Sequence, residues 1–329
     1  METITTEPSV NGAYIDASTS DSVATSKAFI TANTIESSLE EIKQHHVIPV
    51  FVKDNEPVIS HADFIESTIC IVNDIFHGEA ILKPTVRLSH EIKGRVPEAK
   101  GKSAKELLAH ERTIYYERCA FIIEIPTIKE EVGGNRLSLT LGGVKAYNLD
   151  NLYNRKGVDE HFKIFIGFKN TVCCNMCVWS DGVIGDLKVK NLEQLMACMR
   201  TLFVNYSASS QVQALNRLTN YSLTEKQFAQ LIGRSRMYNF LPSTAKKNIT
   251  PLLLGDTQLT NVVKDYYRDD SFCREDNGNI NLWRLYNLFT SSNKTSYIDT
   301  FADRSVNAFQ FVDELRSALS NKDENWFLG

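Results

Sequence analysis

TIYYERCAFIIEIPTIKEEVGGNRLSLTL, residues Thr113 to Leu141, is the stretch on which the fold turns. In its last part Leu137, Leu139 and Leu141 point one way while Arg136, Ser138 and Thr140 point the other, the period-two mark of a β-strand. Its first part, Thr113 to Ile125, is a run of β-branched and aromatic residues that favours a long strand. Gly133, Gly134 and Asn135 supply turn chemistry between them, so the two runs are expected to pair as an antiparallel hairpin across PTIKEEVGGN.

The same pattern extends outward. Val47 to Val52 (VIPVFV), Phe162 to Phe168 (FKIFIGF) and Val172 to Trp179 read as further strands. Two helices are expected among them, SLEEIKQ near Ser38 and a longer one from His61, with Phe64, Ile65, Ile69, Val72 and Phe76 on one stripe. After Lys190 the period changes to 3.6: Leu192, Leu195, Met196, Met199, Leu202, Phe203 and Tyr206 form a helical face behind an Asn191 cap. More helices follow near Thr224 to Phe240, Asp256 to Tyr267, Ile280 to Phe289 and Arg304 to Leu319. The expected class is α+β: a disordered acidic tail over residues 1–25, a mainly antiparallel β-rich part with a few helices over 26–190, and a helical part packed on it over 191–329.

Charge narrows the function. The first 25 residues hold Glu2, Glu7, Asp16 and Asp21 and no basic residue; without these four, the 40 acids fall to 36, matching the 36 Lys and Arg. A neutral body has no global attraction for nucleic acid or membrane, so any such contact must come from a local patch. No apolar run is long enough to span a bilayer and no basic, apolar leader opens the chain, so a cytoplasmic protein without membrane contact is expected. Seven irregularly spaced cysteines suit reduced thiols.

The densest basic patch is Arg87 to Lys105, where Arg87, Lys93, Arg95, Lys100, Lys102 and Lys105 outnumber Glu91 and Glu98. Its Gly and Pro content predicts a loop between strands, able to contact phosphates but lacking an aromatic residue for base stacking. Three cysteines crowd VCCNMCVWSDG, yet structural zinc wants a second ligand pair, and no His follows His161. As a strand, the stretch puts Cys173, Asn175, Cys177 and Trp179 on one face and Cys174 on the other, so its cysteines read as buried apolar residues and no metal is assigned. A buried Asn175 must then find partners, tying the strand to another element. Acids near Asp150, Asp159 and Glu160, and near Asp269, Asp270, Glu275 and Asp276, lack EF-hand spacing. No Walker or GxGxxG motif occurs, GGVKAYN from Gly142 reads as a strand-end glycine pair, and no cofactor is expected. LTEKQFAQLIGRSR, Leu223 to Arg236, opens like a DNA-reading helix-turn-helix but reads as a plain capped helix.

GNRLSLTLGGVKAYNLDNLYNRKG, HFKIFIGFKNTVCCNMCVWSDG and NINLWRLYNLFTSSNKTSYIDTF resemble a Bacteroidetes family known only as a domain of unknown function, whose members also occur on mobile elements. The likeness runs from about Phe29 to the C-terminus. More distantly, the Cys174-Asn175 pair and a late helix carrying Trp283 and Asn287 resemble the phage/plasmid-like unknown-function family, although VWSDG after the pair departs from its pattern. The family's occurrence on mobile elements, taken with the Arg87 to Lys105 arm, leads to the expectation of a non-catalytic, DNA-associated accessory protein of a mobile element. A metal-dependent enzyme acting on nucleic acid or nucleotides, and a protein-interaction scaffold using the helical half, are the rival expectations.

Overall fold

The structure, a computed structural model, describes residues 28–46, 59–95, 97–99, 101–103, 105–146 and 159–329. The expected tail over 1–25, the strand at Val47 to Val52, Lys100 and Asp150 lie outside the described residues.

The chain is α+β, with antiparallel sheet in its first part and helices mostly in its second. It opens with β1 (Thr34–Ser37), α1 (Leu39–His45), α2 (His61–Ile75) and β2 (Thr85–Ser89). A short pair follows, β3 (Ile92–Arg95) and β4 (Arg112–Tyr116), then β5 (Arg118–Val132), β6 (Asn135–Ala146), β7 (Glu160–Asn170), β8 (Met176–Cys177) and β9 (Val183–Val189). The helical part comprises α3 (Leu192–Asn205), α4 (Ala208–Leu218), β10 (Ser222–Leu223), α5 (Glu225–Phe240), α6 (Ser243–Lys246), α7 (Asp256–Arg268), β11 (Ile280–Asn281), α8 (Leu282–Asn293) and α9 (Ile298–Asn321).

Seven strands form the main sheet in the order β1-β2-β5-β6-β7-β8, with β9 also on β7. The expected hairpin is present but tighter: β5 runs through to Val132, which pairs with Asn135 around Gly133 and Gly134. Ile125 pairs with Leu139 and the next pair is Lys129 with Ser138, so Pro126 to Ile128 bulge out of the ladder. Proline has no N–H to give a ladder, and the bulge absorbs it without ending the strand. The single strand expected over Thr113 to Ile125 is instead broken at Glu117, between β4 and β5.

Both faces of the sheet are buried. Leu137, Leu139, Leu141, Phe121, Ile123, Phe162, Ile164 and Ile166 share one core with α2, α3, α7 and α8, so a single apolar cluster runs from the β-rich part into the helical part. Ala120, Ile122, Val144, Phe165 and Met176 build the opposite face against Phe29, Ile30 and Phe301. Helix α2, closed by a Ser60–Asp63 capping box, lays Phe64 edge-on against Phe121 and Phe162, with centroids 5.0 and 4.8 Å away. Gly143 makes this approach feasible, since a Cβ there would lie 2.3 Å from Phe64 Cζ. The pair Gly142-Gly143 is therefore mid-strand clearance for aromatic rings, not the strand end its sequence implies.

One further expectation is corrected, and one helix is added. Val172 to Trp179 is not one strand: residues 171–173 turn, Cys174 takes φ +57°, and only Met176 and Cys177 pair with β7. The loop closes through Asn170, whose N–H donates to Asn175 O at 2.9 Å and whose carbonyl accepts from Cys174 N at 2.8 Å. Helix α4 was not visible as a pattern because ASSQVQALNRL is polar; it buries Gln211, Val212, Leu215 and Leu218.

Candidate nucleic-acid interface and the polar cluster at its root

The basic stretch is only partly a loop between strands: Arg87 lies in β2, Lys93 and Arg95 on β3, and Lys102 and Lys105 in the connection from β3 to β4, which form a two-stranded ribbon apart from the main sheet. Strands β3 and β4 pair antiparallel, Gly94 with Thr113 and Arg95 with Arg112, with a register shift between Ile92 and Lys93. Short 3-10 turns at Pro97–Ala99 and Ala109–Glu111 carry the chain between them.

The ribbon divides the expected phosphate contacts. Arg87 is not on it: the side chain lies in β2 of the main sheet, with Nη2 donating to Thr34 O at 2.8 Å, Nε to Thr34 Oγ1 at 3.0 Å, and Glu36 at 3.6 Å. It stitches β1 to β2. Lys93 lies on β3, and Arg95 is exposed at its end, where Nη1 donates to the Lys102 carbonyl. Lys102 is ion-paired to Glu111, whose carboxyl is held below its ordinary range by that lysine and by the Leu108 N–H. Lys105 is exposed. Sequence reasoning missed Arg112, seven positions past the run, which the hairpin register sets opposite Arg95. It also missed that Glu106 and Glu111 belong to the same ribbon.

At the ribbon's root lies a cluster no linear motif announces. Glu117, the residue between β4 and β5, is fully buried. Its carboxylate oxygens lie 3.0 and 3.1 Å from Nδ1 of His46, at the end of α1, and 3.7 Å from Nε2 of His61, the first residue of α2. Burial pushes the Glu117 carboxyl up to about 7, against the pull of His46. Burial, with the charges of Lys145 and His46, holds His61 well below its ordinary value. Beside them Lys145 of β6 is ion-paired to Glu160 of β7, with neither side chain reaching solvent, and its ammonium sits 4.2 Å from the Phe162 ring centroid. Glu160 also accepts the Ile59 N–H at 3.0 Å. Glu160, one of the acids that lack EF-hand spacing, is thus a buried counter-ion.

The cysteine-rich motif is assembled around amides. Asn175 is fully buried and its Nδ2 donates to Asn287 O at 3.0 Å and Oδ1 at 3.3 Å. Asn287 Nδ2 donates to Trp283 O at 3.0 Å, and Asn170 Nδ2 reaches Asn287 Oδ1 at 3.5 Å. Trp283 Nε1 donates to Asn135 Oδ1 at 2.8 Å, docking the β5–β6 turn on α8. The structure therefore joins Asn175 with Trp283 and Asn287, which sequence places more than a hundred residues apart. Trp179 packs edge-on against Phe309 instead, at 6.1 Å. Burial pushes the Cys173 thiol up to about 11 and Cys177 higher, so thiolates are disfavoured there. Cys174 occupies the left-handed turn position and is half-buried. Among the described residues no group of three or more His, Cys, Asp or Glu side chains could hold a metal ion. Asp269 instead closes a turn, accepting from Ser271 N and Phe272 N at 2.9 and 2.7 Å.

Among the described residues no helix is long and apolar enough to cross a membrane. The model of a family described as "Domain of unknown function, B. Theta Gene description (DUF3871)" matches residues 13–328. No curated protein and no solved structure matches.

Proposed function

We propose for this chain, which belongs to that family of unknown function, a non-catalytic role beside nucleic acid: a cytoplasmic accessory protein of the phage/plasmid-like kind carried by mobile elements. Its contact with phosphates is the β3–β4 ribbon. The observation that supports the reading is the ribbon's separateness: among the described residues it pairs only within itself, and it exposes Arg95, Lys105 and Arg112. A two-stranded ribbon with exposed cations is a form that nucleic-acid grooves admit. With Arg87 withdrawn and Lys102 already held by Glu111, about two or three phosphate contacts are available. Log affinity for duplex DNA then falls with log salt at a slope of roughly −2.

Fluorescence anisotropy on duplex DNA, single-stranded DNA and RNA, at two salt concentrations and with or without magnesium, tests this. Changing Arg95, Lys105 and Arg112 together to Gln is expected to flatten the slope and weaken binding to every sequence alike, since phosphate contacts carry no base information. Absence of binding at low salt would end the reading; magnesium-dependent cleavage would replace it with the enzymatic one.

A second reading, a protein-interaction scaffold, draws on helix α5. Ala229, Gly233, Met237 and Phe240 form an exposed line along it free of charge, and Phe240 is 87% exposed.

A further inference from the structure

The ribbon joins the main sheet at Glu117 on one strand and at the Ser89–Ile92 connection on the other. Ser89 Oγ accepts the Arg118 N–H at 2.8 Å, bracing that junction from β2. A buried carboxylate at a hinge between two sheets is costly unless it is neutral or paired. We propose that Glu117 and His46 form a proton-operated latch that sets how firmly the ribbon is held to the main sheet.

The surroundings leave Glu117 as the group that changes charge and His46 as its nearest partner. His61 faces Glu117 from α2 at 3.7 Å but is kept neutral by its burial. Lys145, from β6, is committed to Glu160 of β7. Glu91, in the β2–β3 connection, repels the carboxylate and raises its proton affinity further. Cys119, next but one on β5, stays a thiol because burial holds its proton on. A protonated Glu117 is neutral and shares its proton with the His46 ring, 3.0 and 3.1 Å from its oxygens. Once Glu117 has lost that proton, a buried anion sits at the junction, and the cheapest relief is to swing the root of β4 toward water.

The latch goes beyond the interface reading and does not depend on what the ribbon touches. Hydrogen exchange on the full chain between pH 6 and pH 8.5, corrected for the intrinsic base-catalysed rise, reads it directly. A carboxyl titrating near 7 goes from about one-tenth to more than nine-tenths ionised over this span. Amides of 89–95 and 112–118 are expected to gain about tenfold in exchange relative to those of 121–125. Glu117→Gln, a permanently neutral stand-in, should keep the ribbon protected and abolish the pH dependence. His46→Gln removes a group that pulls the Glu117 proton affinity down, so it should shift the loosening to higher pH, and serves as the test if the Glu117→Gln chain does not fold. A wild-type ribbon whose corrected exchange is flat with pH, or a Glu117→Gln chain with wild-type pH dependence, overturns the latch. Nucleic-acid binding is not the readout, so failure of the latch and failure of the interface are separate results.

Discussion

Asn175 Nδ2 donates to the main-chain carbonyl of Asn287 at 3.0 Å, across a sequence separation of 112 residues. One amide thereby fastens the β7–β8 turn of the sheet to the middle of helix α8. Neither group reaches solvent, so each has only the other and its immediate neighbours to satisfy it.

Replacing Asn175 by Ala is expected to cost about 1 to 3 kcal/mol, because the Asn287 side-chain oxygen loses a donor in a place water does not enter. Asn175→Asp should cost more, since it turns a donor into an acceptor facing a carbonyl. Urea midpoints at constant slope check both, and an Asn175→Asp chain as stable as the wild type would mean that the amide is not the fastening.

The clearance at Gly143 makes a sharper claim. Ala there places a methyl carbon 2.3 Å from Phe64 Cζ, an overpacking expected to cost about 1 to 3 kcal/mol. In a Phe64→Leu background the same Gly143→Ala change should cost markedly less, because the two sites share one space. A double-mutant cycle by thermal unfolding decides it; strict additivity would place the strain elsewhere.

Stability should depend on pH through two opposing groups. Glu117 binds its proton more tightly folded than unfolded, so its contribution is full below about pH 4.5 and is lost as pH rises through about 7. His61 is lowered, so its contribution is full above about pH 6.5 and is lost as pH falls toward its folded value. Glu117→Gln removes only the first. Its stability relative to wild type should climb between about pH 5 and 7, by on the order of 2 kcal/mol. Denaturation at successive pH values measures this, and a constant difference would show that Glu117 is not the titrating group.

Arg87 and Lys105 look alike in the sequence and should separate in the test tube. Arg87→Gln breaks the bonds to Thr34 and is expected to lower stability by about 1 to 2 kcal/mol while leaving the salt slope of nucleic-acid binding unchanged. Lys105→Gln should leave stability within about 0.5 kcal/mol and, if the ribbon contacts phosphates, reduce the slope by about one. A salt slope that shifts with Arg87 would return that residue to the interface.

Local pattern carried much of the architecture. The alternation through Leu137, Leu139 and Leu141 located β6, the switch to a 3.6 period near Lys190 marked the helical part, and the Thr224–Gln227 pair capped α5 as its spacing implies. These features were legible because helix caps and buried faces are decided within a few residues. The polar run of α4 was not, because its helix is held by Gln211 donating to Cys177 O and by packing that no local period displays. The β5–β6 turn at Gly133 and Gly134 lies where its residues imply, but the connection is shorter than PTIKEEVGGN, because Pro126 sits in a bulge within β5 and does not end it.

The candidate site was legible only as charge density. Sequence alone determined that a neutral body carries one conspicuous basic stretch; it did not determine which of those charges reach solvent. Tertiary structure withdrew Arg87 into a strand pair, set Arg112 opposite Arg95, and brought His46, Glu117 and His61 together from α1, the β4–β5 junction and α2. The physical reason is the same in each case: a charge's partner, burial and proton affinity depend on neighbours distant along the chain, and those neighbours exist only once the strands have paired.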